Sequence, residues 1–205
     1  VGTSGSGKST LLNMLAGLEK PTKGEIEIAG KHIEKLTEKQ LVTFRRERVG
    51  FIFQAYNLLN TMNAVENVAL PLSFRGVPKR ERMKIARRFM ELVGVGDQAK
   101  HMPNQMSGGQ QQRVGIARAL VVSPQIIFAD EPTGNLDSRT TMEVLRLMQK
   151  IVREQNQTLV MVTHDNNLAS YADRRIRIVD GKIVGIEEGG RDAVHEETGE
   201  KGEKA

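Results

Sequence analysis

Residues 1–10 of the chain read VGTSGSGKST, and this stretch decides the fold. Gly2 to Ser9 match the pattern G-x-x-x-x-G-K-[ST], and leucines at helical spacing follow directly. Glycines let successive backbone N–H groups wrap around an anion, and the start of a helix adds partial positive charge. A flexible Gly/Ser linker would explain the glycines, but neither Lys8 nor the helical pattern after it. The stretch therefore predicts a phosphate-binding loop that opens a helix.

This loop also predicts which residues hold a nucleotide. Lys8 would reach the β- and γ-phosphates, and the Ser9 hydroxyl would ligate Mg²⁺. No N-K-x-D guanine-reading motif occurs in the sequence, which disfavours GTP. A loop of this kind follows a β-strand, of which Val1 alone is present, so we expect a fragment that lacks its first strands. The loop residues expected to bind the nucleotide are Gly2, Thr3, Ser4, Gly5, Ser6, Gly7, Lys8, Ser9 and Thr10.

Composition and charge exclude several classes of protein. The 205 residues include no cysteine, which excludes disulfides and thiolate chemistry, and the four histidines lack metal-ligand spacing. The longest uncharged run, Val49 to Val65, is too short and too polar to cross a bilayer. Residues 187–205 contain seven acids and three bases and so carry a charge of −4. Since the net charge of the chain is +5, the remaining residues carry +9. A basic body can indicate nucleic acid or an anionic membrane, but the arginine pairs lack interleaved aromatics, which favours a solvated surface.

Strands and helices alternate along the chain in a pattern typical of an α/β protein. Apolar runs at 125–130 (QIIFAD) and 157–162 (QTLVMV) predict buried strands, and Ser138 to Asn156 predicts a long amphipathic helix. Such continuously apolar strands favour a mostly parallel sheet flanked by helices on both faces. Further predicted elements are a helix from Ser9 to Leu18, a strand from Glu25 to Ala29, a buried strand within RVGFIFQ (48–54) and a hairpin that turns at Asp180-Gly181.

The order of these elements predicts three regions. Strands and the phosphate loop place an ATPase core at residues 1–55 and 124–186. Helical signals between them predict an inserted helical subdomain at 56–123. The Gly- and Glu-rich segment 187–205 is predicted to be a disordered polar tail.

Two acidic residues follow the apolar strand in QIIFADEPTGNLD (125–137). Asp130 would lie at the carboxyl edge of the sheet, where α/β proteins bind ligands, and would hold Mg²⁺ directly or through water. Glu131 would polarise an attacking water as a general base. The alternative is an acidic pair that caps a strand before a proline turn. The phosphate loop in the same chain favours the catalytic interpretation.

A second glycine-rich helix start lies in MSGGQQQR (106–113). Ser107, Gly108 and Gly109, with Gln110, supply a hydroxyl, free N–H groups and a helix dipole, which predicts a second anion site. A simple helix N-cap is the local alternative. One ATP needs only one such cradle from a given chain, so the second predicts a symmetric head-to-tail homodimer with two nucleotides at its interface.

In this order, the motifs resemble those of the ATP-binding subunit of an ABC transporter. The resemblance runs from Gly2 to about Ile186 and adds Gln54 at the end of FIFQ, Asp137 at the end of GNLD and His164 in VTHD. It implies a P-loop NTPase fold in which Gln54 senses Mg²⁺ and the attacking water and links the site to a membrane partner. It also implies that His164 contacts the γ-phosphate and that Asp137 helps couple the two sites of the dimer.

Two departures from the family pattern matter. Met106 stands where the family usually has leucine, and this exchange of similar size should change little. The aromatic residue that stacks on adenine in the family precedes the loop, so we expect the chain as given to bind ATP poorly by itself. With the family roles included, the expected catalytic residues are Glu131, His164, Gln54 and Lys8, and the expected Mg²⁺ ligands are Ser9, Gln54 and Asp130.

Longer phrases, such as FRRERVGFIFQAYNLLNTMNAVENVALPL (44–72), are similar to the lipoprotein-release, macrolide-export and cell-division ATPases. The resemblance implies an ATPase at the cytoplasmic face of the cell membrane that powers a permease for export or extraction of a lipoprotein, drug or peptide. Energy coupling would pass through the helical subdomain and residues 55–59. Two alternatives stay open: an ATP switch on a membrane partner without transport, and a soluble ATPase on DNA or ribosomes. The latter usually carries a coiled-coil insertion, zinc modules or a second cassette; this sequence has none, so no nucleic-acid partner is expected.

Overall fold

The computed structural model describes residues Val1–Gly189. The chain divides into two compact units, a larger one at Ser9–Val162 and a smaller one made of Val1–Lys8 and Thr163–Ala205. The predicted division into a core and a helical subdomain at 56–123 is a different one and stays a prediction. Among the described residues, no helix combines the length and apolarity needed to cross a membrane.

A parallel sheet forms the centre of the larger unit. Its strands are β3 (Val49–Phe53), β4 (Ile126–Asp130) and β5 (Thr158–Val162), in the order β3-β4-β5. Phe53, Asp130 and Val162 pair across the three strands, so all three carboxyl ends meet at one edge. This sheet confirms the predicted α/β fold class.

Side chains of the central strand β4 are buried on both faces of the sheet. Phe128, with no exposed surface, packs on Leu12 and Ala16 at helix α1 (Lys8–Leu15). Ile127 and Ala129 point to the opposite face and join a core cluster with the helices. Those helices are α3 (Ala64–Phe74), α4 (Lys79–Leu92), α5 (Gly108–Leu120) and α6 (Ser138–Glu154). Burial on both faces explains why β4 reads as an uninterrupted apolar run.

Side-chain hydrogen bonds hold the start of helix α3. Asn63 caps the helix in a reciprocal box with Glu66. The fully buried side chain of Asn67 accepts from the Leu59 N–H at 2.7 Å and donates to the carbonyl oxygens of Leu59, Met62 and Asn63. Every polar atom of Asn67 is therefore satisfied, and residues 59–63 are fixed to α3.

The first elements of the larger unit are shorter than the sequence predicts. Helix α1 ends at Leu15 rather than Leu18, because Gly17 adopts φ +66° and the N–H groups of Gly17 and Leu18 bond back to Met14 and Asn13 in a Schellman motif. The predicted strand at Glu25 to Ala29 is wrong in length. Only β1 (Glu27–Ile28) pairs with β2 (Lys31–His32), since Ala29 and Gly30 turn the chain with φ of 50° and 74°. Helix α2 (Glu38–Arg48) then leads into β3.

The smaller unit contains helix α7 (Asn166–Ala169) and an antiparallel hairpin of β6 (Arg174–Val179) and β7 (Lys182–Glu188). Its turn is Asp180-Gly181, with φ of 47° and 73°, as predicted. The Val1 amino group donates to the Ile176 carbonyl and the Val1 carbonyl accepts from the Ile178 N–H, both at 2.8 Å. Val1 thus pairs with β6 in the manner of a strand. Strand β7 includes 187–188, so a tail starting at 187 is wrong there, and 190–205 lie outside the described residues.

Candidate nucleotide-binding site

The glycine-rich loop, in the smaller unit, closes on one of its own carbonyl groups. The Ser6 hydroxyl and the Lys8 ammonium each donate to the Thr3 carbonyl oxygen at 2.8 Å. Gly5 and Gly7 adopt φ of 79° and 87°, which side chains other than glycine rarely adopt. Lys8 is 7% exposed, so the loop holds its ammonium group at the helix start. A phosphate cradle needs glycines with such φ values, and nucleotide binding by Gly2 to Thr10 stays a prediction.

The hairpin of the smaller unit supports this loop. The Gly181 N–H donates to the Ser6 carbonyl oxygen at 3.0 Å. A Cβ atom on Gly2 would lie 2.1 Å from the Ile178 carbonyl oxygen, so only glycine fits there. Gly2 is therefore required by backbone packing, whether or not its N–H also binds phosphate.

Ser9 and Asp130 are the predicted Mg²⁺ ligands that the larger unit brings together. The Ser9 hydroxyl, in the first turn of α1, donates to the Asp130 carboxylate at 3.1 Å, although 121 positions separate them. A hydroxyl beside a carboxylate is the hard oxygen donor set that Mg²⁺ prefers, with phosphate oxygens and water filling its other positions. The residues present therefore fit this ion.

Glu131 follows β4 with a backbone conformation unusual for its residue type. Its φ is 42°, and such a left-handed residue costs about 1–3 kcal/mol. Hydrogen bonds on both sides hold it: its N–H donates to the Val162 carbonyl at 2.9 Å, and its carbonyl accepts from the Gly134 N–H at 3.0 Å. Strain of this kind concentrates at functional sites, which supports the predicted role of Glu131 as the general base.

Gln54 directly follows β3 and lies at the carboxyl edge of the sheet, because Phe53, the last residue of β3, pairs with Asp130. Its carbonyl oxygen accepts from the Asn135 side chain at 3.0 Å. A Cβ atom on Gly134 would lie 2.7 Å from the Gln54 amide nitrogen, so the side chain packs directly on that glycine. The larger unit thus gathers Gln54, Ser9, Asp130 and Glu131 at one sheet edge.

Ser107 caps helix α5. It forms a reciprocal capping box with Gln110, whose N–H donates to the Ser107 hydroxyl at 3.3 Å while its amide oxygen accepts from the Ser107 N–H at 2.8 Å. A Cβ atom on Gly108 would lie 2.7 Å from the Tyr56 hydroxyl, and one on Gly109 would lie 2.7 Å from the Thr140 methyl carbon. Ser107 therefore caps α5, which agrees with both interpretations of this stretch, and nucleotide binding by these four residues stays a prediction.

Asp137 caps helix α6, whose first turn contacts the start of α5. Its carboxylate accepts from the Thr140 N–H at 3.0 Å and from the Thr140 hydroxyl at 2.6 Å. The hydroxyl bond, followed by the backbone bond, lowers the pKa of Asp137 below its ordinary value. Since Gly109 also contacts Thr140, the N-terminal ends of α5 and α6 meet at this residue. The coupling role of Asp137 stays a prediction.

His164 lies in the smaller unit, between β5 and α7. The next residue, Asp165, caps α7 by accepting from the Asn167 N–H at 2.7 Å. The contact of His164 with a γ-phosphate stays a prediction.

Sequence reasoning missed a pair of residues that fasten the segment after Gln54 to α5. Tyr56 and Asn57 adopt φ of 60° and 49°, and their carbonyl oxygens accept from the Arg118 guanidinium at 2.7 and 2.5 Å. Burial lowers the pKa of Arg118 below its ordinary value. A lone arginine within the apolar stretch GIARALVV (115–122) was the available signal, because buried arginines require hydrogen-bond acceptors.

A parallel sheet whose carboxyl edge carries Gln54, Asp130 and Glu131, in a chain with a lysine-closed glycine loop, defines a P-loop nucleotide hydrolase. The family model for ABC transporters matches residues 1–134. The solved structure of the ATP-binding cassette MJ0796, dimeric and bound to ADP and Pi after hydrolysis, is similar with a TM-score of 0.84 and 44% identity. This similarity covers 91% of this chain and 82% of that one. The chain belongs to the ABC transporter family and is an ATP-binding ATPase.

Similar proteins indicate which ABC transporter ATPases this chain resembles. An uncharacterized ABC transporter ATP-binding protein of Thermotoga maritima is 50% identical, over 93% of this chain and 81% of that protein. The lipoprotein-releasing ATP-binding protein LolD of Geobacter metallireducens is 45% identical, over 90% and 82%. The macrolide export ATP-binding/permease protein MacB of Aggregatibacter actinomycetemcomitans is 48% identical over 90% of this chain, which spans 28% of that protein. These similarities confirm the predicted resemblance to the lipoprotein-release and macrolide-export ATPases.

Proposed function

We propose that two copies of this chain close around two MgATP molecules and thereby drive a membrane permease that exports or extracts its substrate. The proposed location is the cytoplasmic face of the membrane, where the permease would hold the subunit. The adjacent Ser9 hydroxyl and Asp130 carboxylate, with Glu131 one residue beyond, are the observation that carries the hydrolytic part. Similarity to a dimeric cassette supports the dimer, and similarity to a fused ATP-binding/permease protein supports the permease.

Each residue of the candidate site has its own role in the proposed hydrolysis. Lys8 and the loop N–H groups bind and orient the phosphates. Glu131 accepts a proton from the attacking water, and Gln54 and His164 orient that water and the γ-phosphate. Ser9 and Asp130, with Gln54, would hold Mg²⁺, which when bound neutralises charge that develops on the phosphate oxygens. Ser107 to Gln110 of one copy would cover the nucleotide held by the other copy.

The test uses the full-length protein with Glu131→Gln, expressed in its native cells. This change keeps the size and hydrogen bonding of the side chain but removes the base, so we expect turnover to fall at least a hundredfold while MgATP binding persists. Membranes are then extracted in mild detergent with MgATP, and the proteins that co-purify are identified. We expect a multi-span permease with a large extracytoplasmic domain.

Glu154→Gln is the matched control, because within Val1–Gly189 Glu154 forms only an exposed pair with Lys150, at 3.9 Å, at the far end of α6. This variant should hydrolyse ATP at the normal rate. Near-normal turnover in Glu131→Gln would remove Glu131 as the base. Recovery of soluble partners only, or of division proteins without a transport route, would replace transport with an ATP switch.

A further inference from the structure

Helix α4 presents one strongly basic face to solvent. At about 100° per residue, four of its cations fall within an arc of about 100°. On the opposite side of the helix, Ala86 and Met90 are fully buried in the core cluster. The exposed cations, which we call the basic face, are Arg80, Lys84, Arg87 and Arg88.

Helix stability does not account for the basic face. Within Val1–Gly189, none of its four side chains forms an ion pair, although the exposed Glu91 falls inside the same arc and the exposed Glu81 lies just past its edge. Four cations and one anion leave the arc with a net charge of +3. Like charges four positions apart, as at Arg80 and Lys84 and again at Lys84 and Arg88, repel each other and weaken a helix.

An exposed aromatic ring lies at the tip of the same helical hairpin. Phe74 is the last residue of α3 and is 64% exposed, the largest exposure of any large apolar side chain in the described part of the chain. Residues 75–78 then turn the chain into α4, which packs against α3. Aromatic side chains beside clustered cations are typical of protein surfaces that enter the headgroup layer of a membrane.

We propose that the basic face, together with Phe74, binds an anionic lipid surface. This inference rests on the proposed function, because a permease partner would hold the chain at a membrane surface. The guanidinium and ammonium groups match the phosphates of lipid headgroups, and Phe74 lies at the hairpin end rather than between the cations. That arrangement suits insertion at the membrane interface better than stacking between nucleic-acid bases.

The expected contribution of each cation is large enough to measure. A lysine or arginine near an anionic membrane surface raises the partition coefficient roughly fivefold. Replacing three of the four should therefore weaken binding about a hundredfold. Removing Phe74 should weaken binding about tenfold, since its ring would leave the apolar boundary of the headgroups.

The experiment measures co-sedimentation of the full chain with phosphatidylcholine vesicles that contain no or about one-third phosphatidylglycerol, at 0.1 M salt. One variant combines Lys84→Gln, Arg87→Gln and Arg88→Gln, and a second carries Phe74→Ser. The matched control combines Lys23→Gln, Lys31→Gln and Lys39→Gln, which remove the same charge from exposed positions elsewhere in the larger unit. We expect binding to anionic vesicles only, lost in the first variant, weakened in the second and kept in the control.

Absence of wild-type binding, equal binding to neutral vesicles, or equal loss in the control would overturn the proposal. Unchanged binding by Phe74→Ser would overturn the part assigned to that ring. Duplex DNA binding that depends on the basic face, with vesicle binding independent of it, would assign the face to nucleic acid instead. Because the vesicles contain no permease, co-purification of a permease without vesicle binding means that this inference alone fails.

Discussion

At the scale of single residues, two glycines of α5 differ in what surrounds them. A Cβ atom on Gly109 would lie 2.7 Å from the Thr140 methyl carbon, closer than side chains approach each other. On Gly115, the nearest atom to an added Cβ is the Tyr56 carbonyl oxygen at 3.7 Å, an ordinary contact. Gly109 therefore serves the close approach of α5 and α6, independently of any bound nucleotide.

We expect Gly109→Ala to destabilise the protein by about 1–3 kcal/mol, because the added methyl group forces α5 and α6 apart. Gly115→Ala is the matched control in the same helix and should be neutral or stabilising by up to about 1 kcal/mol, since alanine favours helix. Thermal unfolding without nucleotide measures both, at about 2–4 °C per kcal/mol. An unchanged melting temperature in Gly109→Ala would mean that the two helices do not need this contact.

Residue identities were predictable at the site, whereas their backbone strain was not. The sequence motifs predicted that Ser9, Asp130 and Glu131 act together, and the structure brings Ser9 to Asp130. The positive φ of Glu131 depends on its bond to Val162 in a neighbouring strand, which no local pattern reveals. The link from Arg118 to Tyr56 was missed for the same reason, because 62 positions separate its partners.

At the scale of elements, helix α6 depends on a charged cap. Asp137 accepts two hydrogen bonds from Thr140, and these lower its pKa. A carboxyl group whose pKa is lower in the folded state stabilises the fold above its unfolded pKa, near 3.8 here, and loses this contribution as the pH falls through the folded value.

We therefore expect Asp137→Asn to lower the urea midpoint of unfolding at pH 7, because asparagine caps the helix without charge at its positive end. This difference from the wild type should shrink as the pH falls below about 4 and vanish when Asp137 is protonated. Asp97→Asn is the control, since in the described part of the chain the Asp97 side chain accepts only from its exposed neighbour Gln98. A difference that stays constant down to pH 3 would show that the charge of Asp137 does not act on stability.

Long elements were predictable and short ones were not. Strand β4 (Ile126–Asp130) is buried on both faces and reads as an unbroken apolar run, whereas helix α6 has one apolar stripe with helical spacing, so each gives a clear signal in the sequence. Strands β1 and β2 have two residues each, and Ala29 and Gly30 between them decide the pairing. A glycine likewise ends α1 early, at Gly17, although the leucine spacing continues to Leu18.

At the scale of the whole molecule, the proposed dimer gives each nucleotide two sources of contacts. Lys8 of one copy and Ser107 of the other would serve the same ATP. Both residues have structural partners within the single chain: Lys8 donates to the Thr3 carbonyl, and Ser107 caps α5. Loss of activity in either single variant therefore does not separate a dimer from a monomer that binds ATP alone.

Mixing two inactive variants makes that distinction. We expect Lys8→Ala and Ser107→Arg to be inactive separately, the first for lack of a phosphate contact and the second because a long cation blocks the partner's nucleotide. In a mixed dimer, one site combines the intact Lys8 of one copy with the intact Ser107 of the other, and the second site carries both changes. Half of the dimers in an equal mixture are mixed and each has one intact site, so ATPase activity should recover to about a quarter of the wild-type rate. Recovery should depend on protein concentration, and a mixture that stays as inactive as its components would show that both motifs serve one chain.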